Sequence, residues 1–176
     1  MTLITVIGNT LGLLTIVGQV IAAVLLVALI ARKKKVTDFA SEYALLFGFV
    51  VASIAMAGSM FYSEIAGYEP CKLCWFQRIL MYPQVLLLGM AWWRKERWML
   101  PYASILSAIG GLIAGYHYLL QRGVAPALPC SAVGYSVDCA KIFVMQYGYV
   151  TIPLMAFTAF ALIFLFTWAG IKKDCE

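Results

Sequence analysis

Five stretches of this 176-residue chain are almost free of charge, and each is long enough to cross a lipid bilayer. A helix needs about 20 apolar residues to span the hydrocarbon core. That requirement leaves few alternatives to a bundle of membrane helices. No residue in Thr2–Ala31 is charged, and the first span is expected near Leu11–Ile30. The second is Tyr43–Ser63; the third runs from about Trp75 to Trp93, with Arg78 in its first turns. The fourth is Met99–Leu120, interrupted by His117. The fifth runs from about Thr151 to Gly170, because Pro153 suits a first helical turn. Charged residues make up 12% of the chain, against about 25% in an ordinary soluble domain. A soluble enzyme, a disordered regulator and a nucleic-acid-binding domain are thereby excluded. The expected fold is an all-α membrane protein.

The net charge of +5 is explained by where the basic residues fall. Arg32, Lys33, Lys34 and Lys35 follow the first span, Arg94, Lys95 and Arg97 the third, and Lys172 and Lys173 the fifth. Nine of the thirteen Lys and Arg residues therefore share one side, and Lys72, Arg78, Arg122 and Lys141 the other. Short cytoplasmic loops collect basic residues, so the N-terminus is expected outside and the C-terminus in the cytoplasm. Trp92, Trp93 and Trp98 bracket the second basic cluster, as headgroup-level anchors do. The first span lacks a basic segment ahead of it and is expected to be an anchor, not a secretory signal. Gly8/Gly12 and Gly111/Gly115 have the spacing that lets membrane helices approach closely.

Topology sorts the five cysteines. Cys71, Cys74, Cys130 and Cys139 fall in the two long outward segments, and Cys175 lies in the cytoplasmic tail. Disulfides persist outside the cytoplasm and are rare within it, so the four outer cysteines are read as two disulfides and Cys175 as a free thiol. Cys71-Lys72-Leu73-Cys74 follows Pro70 directly and opens the third helix. In a first helical turn the helix dipole and unpaired N–H groups stabilise a thiolate, which makes C-x-x-C pairs redox-active. Cys130 and Cys139 lie in a loop with Pro126, Pro129 and Gly134, expected to be flexible and exposed. A bridge that closes only this small loop adds about 2–3 kcal/mol at most, so it makes more sense as a reactive group than as a strut. Two exchangeable disulfides on one side can pass electrons by thiolate attack. The alternatives are purely structural bridges, or a metal site in a non-enzymatic membrane subunit. The eight-residue spacing of the second pair argues against zinc, and no metal is expected.

Arg78 stands four residues after Cys74, on the same helix face and about 6 Å deeper. His117 lies about 6 Å inside the outer end of its helix. Ionisable residues within membrane helices usually face the bundle interior with a function, although Arg78 could instead reach the outer headgroups. With Cys74 they outline a polar corner in an apolar cavity, suited to a lipid-soluble acceptor with hydrogen-bonding carbonyls, a quinone. Pro83 is expected to kink the third helix and open space beside it.

The run from Glu69 to Pro83, with Cys71, Cys74, Gln77 and Arg78 at its centre, closely resembles the signature of the disulfide bond formation protein B family (DsbB, called BdbC in some bacteria). Tyr116-His117-Tyr118 and Ile152-Pro153 also match. The resemblance covers roughly Tyr43 to Ala169. It implies a four-helix transmembrane bundle, residues 43–176, preceded by an additional N-terminal helix and basic loop, residues 1–42. It further implies a multi-pass protein of the bacterial cytoplasmic (inner) membrane with its redox cysteines on the periplasmic side. Such a protein reoxidises a thioredoxin-like periplasmic dithiol oxidase (DsbA-like) and reduces the membrane quinone pool, ubiquinone or menaquinone. By position, Cys130 would form the mixed disulfide with the partner and Cys139 would pass electrons to Cys71. Cys74 would be the thiolate beside the quinone, supported by Arg78, with His117 near the ring. A vitamin K epoxide reductase-like protein would do similar chemistry, but its C-x-x-C is expected late in the bundle. Three features depart from the family pattern: the extra first helix, the short Cys130–Cys139 loop, and Gln77 where some relatives have Glu.

Overall fold

A computed structural model describes residues 3–125 and 138–174. Its elements are α1 (Leu3–Ile30), α2 (Lys34–Glu42), α3 (Ala44–Met60, continued by a π-helical turn Phe61–Ile65), α4 (Lys72–Arg94), α5 (Leu100–Gln121) and α6 (Ile152–Asp174). Among the described residues there is no strand, only an isolated bridge between Gln146 and Val150. The chain is an all-α membrane protein. Among the described residues, four helices are long and apolar enough to cross a membrane: α1, α3 with its π turn, α5 with the short turn before it, and α6. The remaining expected span, α4, has the same 23 residues as α6 but carries Lys72, Gln77, Arg78, Gln84 and Arg94, which lower its hydropathy. Gln77, Arg78 and Gln84 have hydrogen-bond partners. Gln77 and Gln84 are buried, and α4 packs between α3 and α5.

Helix association cannot rest on hydrophobicity where lipid tails are as apolar as leucine, so small residues and close packing carry it. Ala44, Gly48 and Ala52 line the buried face of α3, and Ala103, Ser107, Gly110 and Ala114 that of α5. The tightest approach is at Gly110. A Cβ there would lie 2.8 Å from Cδ1 of Phe160 and closer still to the ring's far carbons. Gly111 and Gly115 meet only ordinary van der Waals contacts. The close approach in α5 thus falls one residue before the expected pair. Gly8 and Gly12 lie against Gln146 and Tyr147, a loop and not another helix.

The helix continues through Pro83. Proline has no N–H for the preceding turn. At the next residue, the Gln84 amide donates to the Leu80 carbonyl (2.9 Å) and accepts from the Ser107 hydroxyl (2.8 Å), tying α4 to α5. At the basic end, Arg97 donates to Asp174 (2.9 Å), to the Ser41 carbonyl (3.0 Å) and to the Gly170 carbonyl (3.2 Å). Arg32, Lys34, Lys172 and Lys173 line one pocket at this same end. The basic clusters therefore sit together, at the opposite end of α4 from the cysteines. The basic run after α1 is not all loop: Lys34 and Lys35 open the short helix α2.

Candidate redox site

Cys71 is the N-cap of α4. Its extended backbone (φ −72°, ψ 171°) lets its sulfur accept the Cys74 N–H at 3.4 Å. Sulfur thus serves where serine or aspartate usually caps. The two sulfurs lie 3.1 Å apart as a dithiol. The thiol pair has two different surroundings. Cys71 is buried with Cys139 and Leu120 in one apolar cluster, against which the half-buried Cys74 also packs. Cys74 lines a cavity of about 330 Å³ between α1, α3, α4 and α6.

His117 belongs to the first of these surroundings. It is 1% exposed, with Nε2 3.0 Å from the Cys139 carbonyl and 3.7 Å from the Cys71 sulfur. Nε2–H must donate to that carbonyl, so Nδ1 is the acceptor, and the Gln77 amide donates to it at 3.0 Å. The ring was expected beside the cavity. It faces the thiols instead and meets the cavity only through Gln77, which lines it. Gln77 had no assignable role in the sequence; its role here is to fix the tautomer and orientation of His117. Cys139 also differs from expectation, being 1% exposed in a loop read as open. Its carbonyl is held by His117, and the next residues are pinned by the Gln121 amide, which donates to the Lys141 carbonyl (3.1 Å). Cys130 and Cys175 lie outside the described residues.

Just ahead of α4, the Cys71 thiol is pushed up to about 12, first by its hydrogen bond with Cys74 and then by burial; His117 pulls the other way. Among the described residues, Cys71, Cys74 and His117 are the group that could ligate a metal, their donor atoms lying within 4.8 Å of one another. Two thiolates on one tetrahedral zinc stand about 3.7 Å apart, given Zn–S bonds of about 2.3 Å. The 3.1 Å sulfur separation and the donating Nε2–H suit a redox dithiol better.

On the cavity side, Arg78 donates from Nε to the Ser59 hydroxyl (2.9 Å) and from Nη2 to the Ser59 carbonyl (3.0 Å). It does not reach for headgroups; α3 holds it. The Tyr82 hydroxyl donates to the same Ser59 oxygen (3.3 Å), and the guanidinium lies 5.4 Å from the centre of the Trp75 ring. Nη1 makes no hydrogen bond among the described residues and remains able to donate into the cavity. Ser59 carried no signal in the sequence, because its role depends on how α3 packs against α4. Tyr62 stacks on Tyr68 and Tyr68 on Phe143, with ring centres 6.1 and 5.2 Å apart. The π turn that carries Tyr62 is of the kind often found at functional sites. Tyr62, Tyr68 and Phe143 all line the cavity, at its cysteine end.

Comparison with known proteins gives the chain a family. The family described as "Disulfide bond formation protein DsbB" matches residues 41–170. The chain belongs to the DsbB family. It is 45% identical over 133 residues to a "Probable disulfide formation protein" of Oceanobacillus iheyensis, covering 75% of this chain and 90% of that protein. It is 39% identical over 142 residues to "Probable disulfide formation protein C" of Bacillus cereus (81% and 98%). It is 43% identical over 119 residues to "Disulfide bond formation protein C" of Bacillus subtilis (66% and 84%). No solved structure matches significantly. This DsbB-family protein is a disulfide-generating oxidoreductase and a multi-pass membrane protein.

Proposed function

We propose that this DsbB-family protein reoxidises a thioredoxin-like, DsbA-like dithiol oxidase outside the cytoplasm and passes the electrons to a membrane quinone. The observation that carries this reading is the difference within the C-x-x-C pair: both cysteines pack with Cys139, Cys71 fully buried there, and Cys74 alone of the two also lines an apolar cavity with Arg78. A relay needs this arrangement, one sulfur facing the source of electrons and the other facing the sink.

A thiolate of the partner attacks Cys130 of the Cys130–Cys139 bridge and forms a mixed disulfide, releasing Cys139 as thiolate. Cys139 attacks Cys71, forming Cys71–Cys139 and freeing Cys74 as thiolate beside the cavity. The partner's second cysteine then displaces Cys130 and leaves oxidised. Cys130 then attacks Cys139 and releases the Cys71 thiolate; the Cys71–Cys74 bond re-forms as the pair gives up two electrons, which a bound quinone would accept. The net change is partner dithiol plus quinone to partner disulfide plus quinol. When bound, the quinone supplies a two-electron, two-proton acceptor.

The cavity residues fit such a guest. Arg78 keeps an uncommitted N–H edge for a ring carbonyl and a positive charge for the Cys74 thiolate, and the remaining lining is mainly aliphatic and aromatic. His117 Nε2–H, 3.7 Å from the Cys71 sulfur, is placed to steady the Cys71 thiolate when it forms. Gln77, donating to Nδ1 of that ring, joins His117 to the cavity lining. The side of the membrane follows from the clustered basic residues: with those inside, the cysteines face the periplasm or its equivalent. Residues 1–42 are proposed as an addition to a family bundle formed by residues 43–176.

The test is quinol formation by the purified protein supplied with a reduced thioredoxin-like oxidase, ubiquinone and menaquinone being offered separately. Changing Cys71, Cys74, Cys130 or Cys139 to Ser is expected to abolish turnover, and Cys175→Ser to leave it unchanged. Reduction of neither quinone by the native protein would overturn the reading.

A further inference from the structure

The cavity beside Cys74 has a wall that lies outside the family match. The match begins at residue 41, yet Leu11, Leu14, Thr15, Val17, Gly18 and Ile21 of α1 all line the cavity. This helix is seated on α6, not on α3. Gly18 fits against Thr158 and Leu162, where a Cβ would come within 3.1 Å of each. The segment between α5 and α6 also holds α1. The Tyr149 hydroxyl donates to Gln19 Oε1 (3.0 Å) and the Tyr147 hydroxyl to the Asn9 carbonyl (3.4 Å).

Between α1 and α3 the packing is open. Leu11 meets Gly58, but beyond that contact Leu14, Val17 and Ile21 face Val51, Ile54 and Ala55 across the cavity. Leu14, Val17 and Ile21 are 47%, 48% and 41% exposed and also line the cavity. Side chains that face both the cavity and the surrounding lipid mark a lateral opening. Its surface is aliphatic. The hydroxyl of Thr15 is spent within the helix, donating to the Leu11 carbonyl (2.8 Å). At the cysteine end the stacked rings of Tyr62, Tyr68 and Phe143 stand between the cavity and the water.

We propose that α1 and α3 form the doorway through which an isoprenoid quinone reaches Cys74 from the bilayer, its tail lying against Leu14, Val17 and Ile21. This rests on the quinone reading above and gives the additional helix a part in acceptor binding. At about 330 Å³ the cavity is at the small end of ligand sites (about 300–1,000 Å³). It suits a ring and the start of a tail, with the remaining tail running out between the helices.

The direct test uses the native full chain and quinones carrying a diazirine on the first isoprenoid unit, with ubiquinone-type and menaquinone-type rings. After illumination, label is expected in peptides spanning residues 11–21 and 51–55. Label confined to α5 or to the outer face of α4 would overturn the doorway. In a kinetic test, Leu14→Trp is expected to raise the KM of a tailed quinone about tenfold relative to that of a tail-less quinone, the scale of one misplaced group in an apolar pocket. Val20→Trp, on the lipid side of α1, should leave both unchanged. Equal effects of Leu14→Trp on the two acceptors would also overturn it. If the native protein reduces no quinone, the acceptor reading itself fails; if it reduces quinones but labels elsewhere, only the doorway fails.

Discussion

Ser59→Ala isolates the contribution of Arg78 without removing its charge. Ser59 holds the guanidinium through two bonds, to its hydroxyl at 2.9 Å and to its carbonyl at 3.0 Å. Alanine deletes the first and keeps the second, so Arg78 stays in the cavity but gains freedom to turn. A hydrogen bond to a charged group is worth about 1.5–3 kcal/mol. At about 1.4 kcal/mol per decade this corresponds to a loss of roughly 10- to 150-fold in quinone kcat/KM. The steady-state rate of quinol formation at varied quinone measures it. A second assay, single-turnover oxidation of the partner dithiol without quinone, should not change, because Ser59 touches neither Cys71 nor Cys139. Ser59→Thr restores the acceptor and should recover most of the loss. If Ser59→Ala stayed within twofold of native for quinone, or slowed both half-reactions equally, the assignment of Arg78 to the acceptor side would be wrong.

Three further outcomes follow from the same geometry. With its thiol pushed up to about 12, Cys71 is neutral throughout pH 6–9, so its alkylation in the reduced protein should rise about tenfold per pH unit without a plateau below pH 10. In Cys74→Ala the largest cause of that shift is gone, and Cys71 alkylation at pH 8 should be faster; a plateau below pH 9 in the native protein would contradict the burial argument. Gly110→Val drives a side chain into the fully buried ring of Phe160 and should cost about 1–3 kcal/mol or more, read as a lowered unfolding temperature in detergent. Arg97→Ala frees the Ser41 and Gly170 carbonyls and unpairs Asp174, about 1–3 kcal/mol given a side chain one-third exposed, with no effect on thiol exchange.

The long helices could be read from the sequence because the bilayer imposes a length and forbids charge, and this fixed the ends of α3, α5 and α6 to within a few residues. The shared face of Cys74 and Arg78 follows from a four-residue helical spacing alone. What could not be read depends on neighbours brought together by the fold. Ser59 is an ordinary membrane serine until α3 meets α4. His117 could have faced either the acceptor or the thiols, and the burial of Cys139 beneath its ring decides for the thiols. The short helix α2 was hidden by its own charges, which read as a loop. The seat of α1 was hidden because a uniformly apolar helix shows no preferred face in its pattern; only the contact of Gly18 with Thr158 and Leu162 selects one.

The central claim is that Cys71 faces the incoming thiol and Cys74 the acceptor. It is tested most directly with two variants that each retain a single pair, Cys71 with Cys139 or Cys74 with Cys139, every other cysteine being changed to Ala. After mild oxidation in the membrane, mass spectrometry of the digested protein should find a nearly complete Cys71–Cys139 bridge in the first and little bridge in the second. Equal bridging in both, or a preference for Cys74–Cys139, would contradict the division of the pair between its two surroundings.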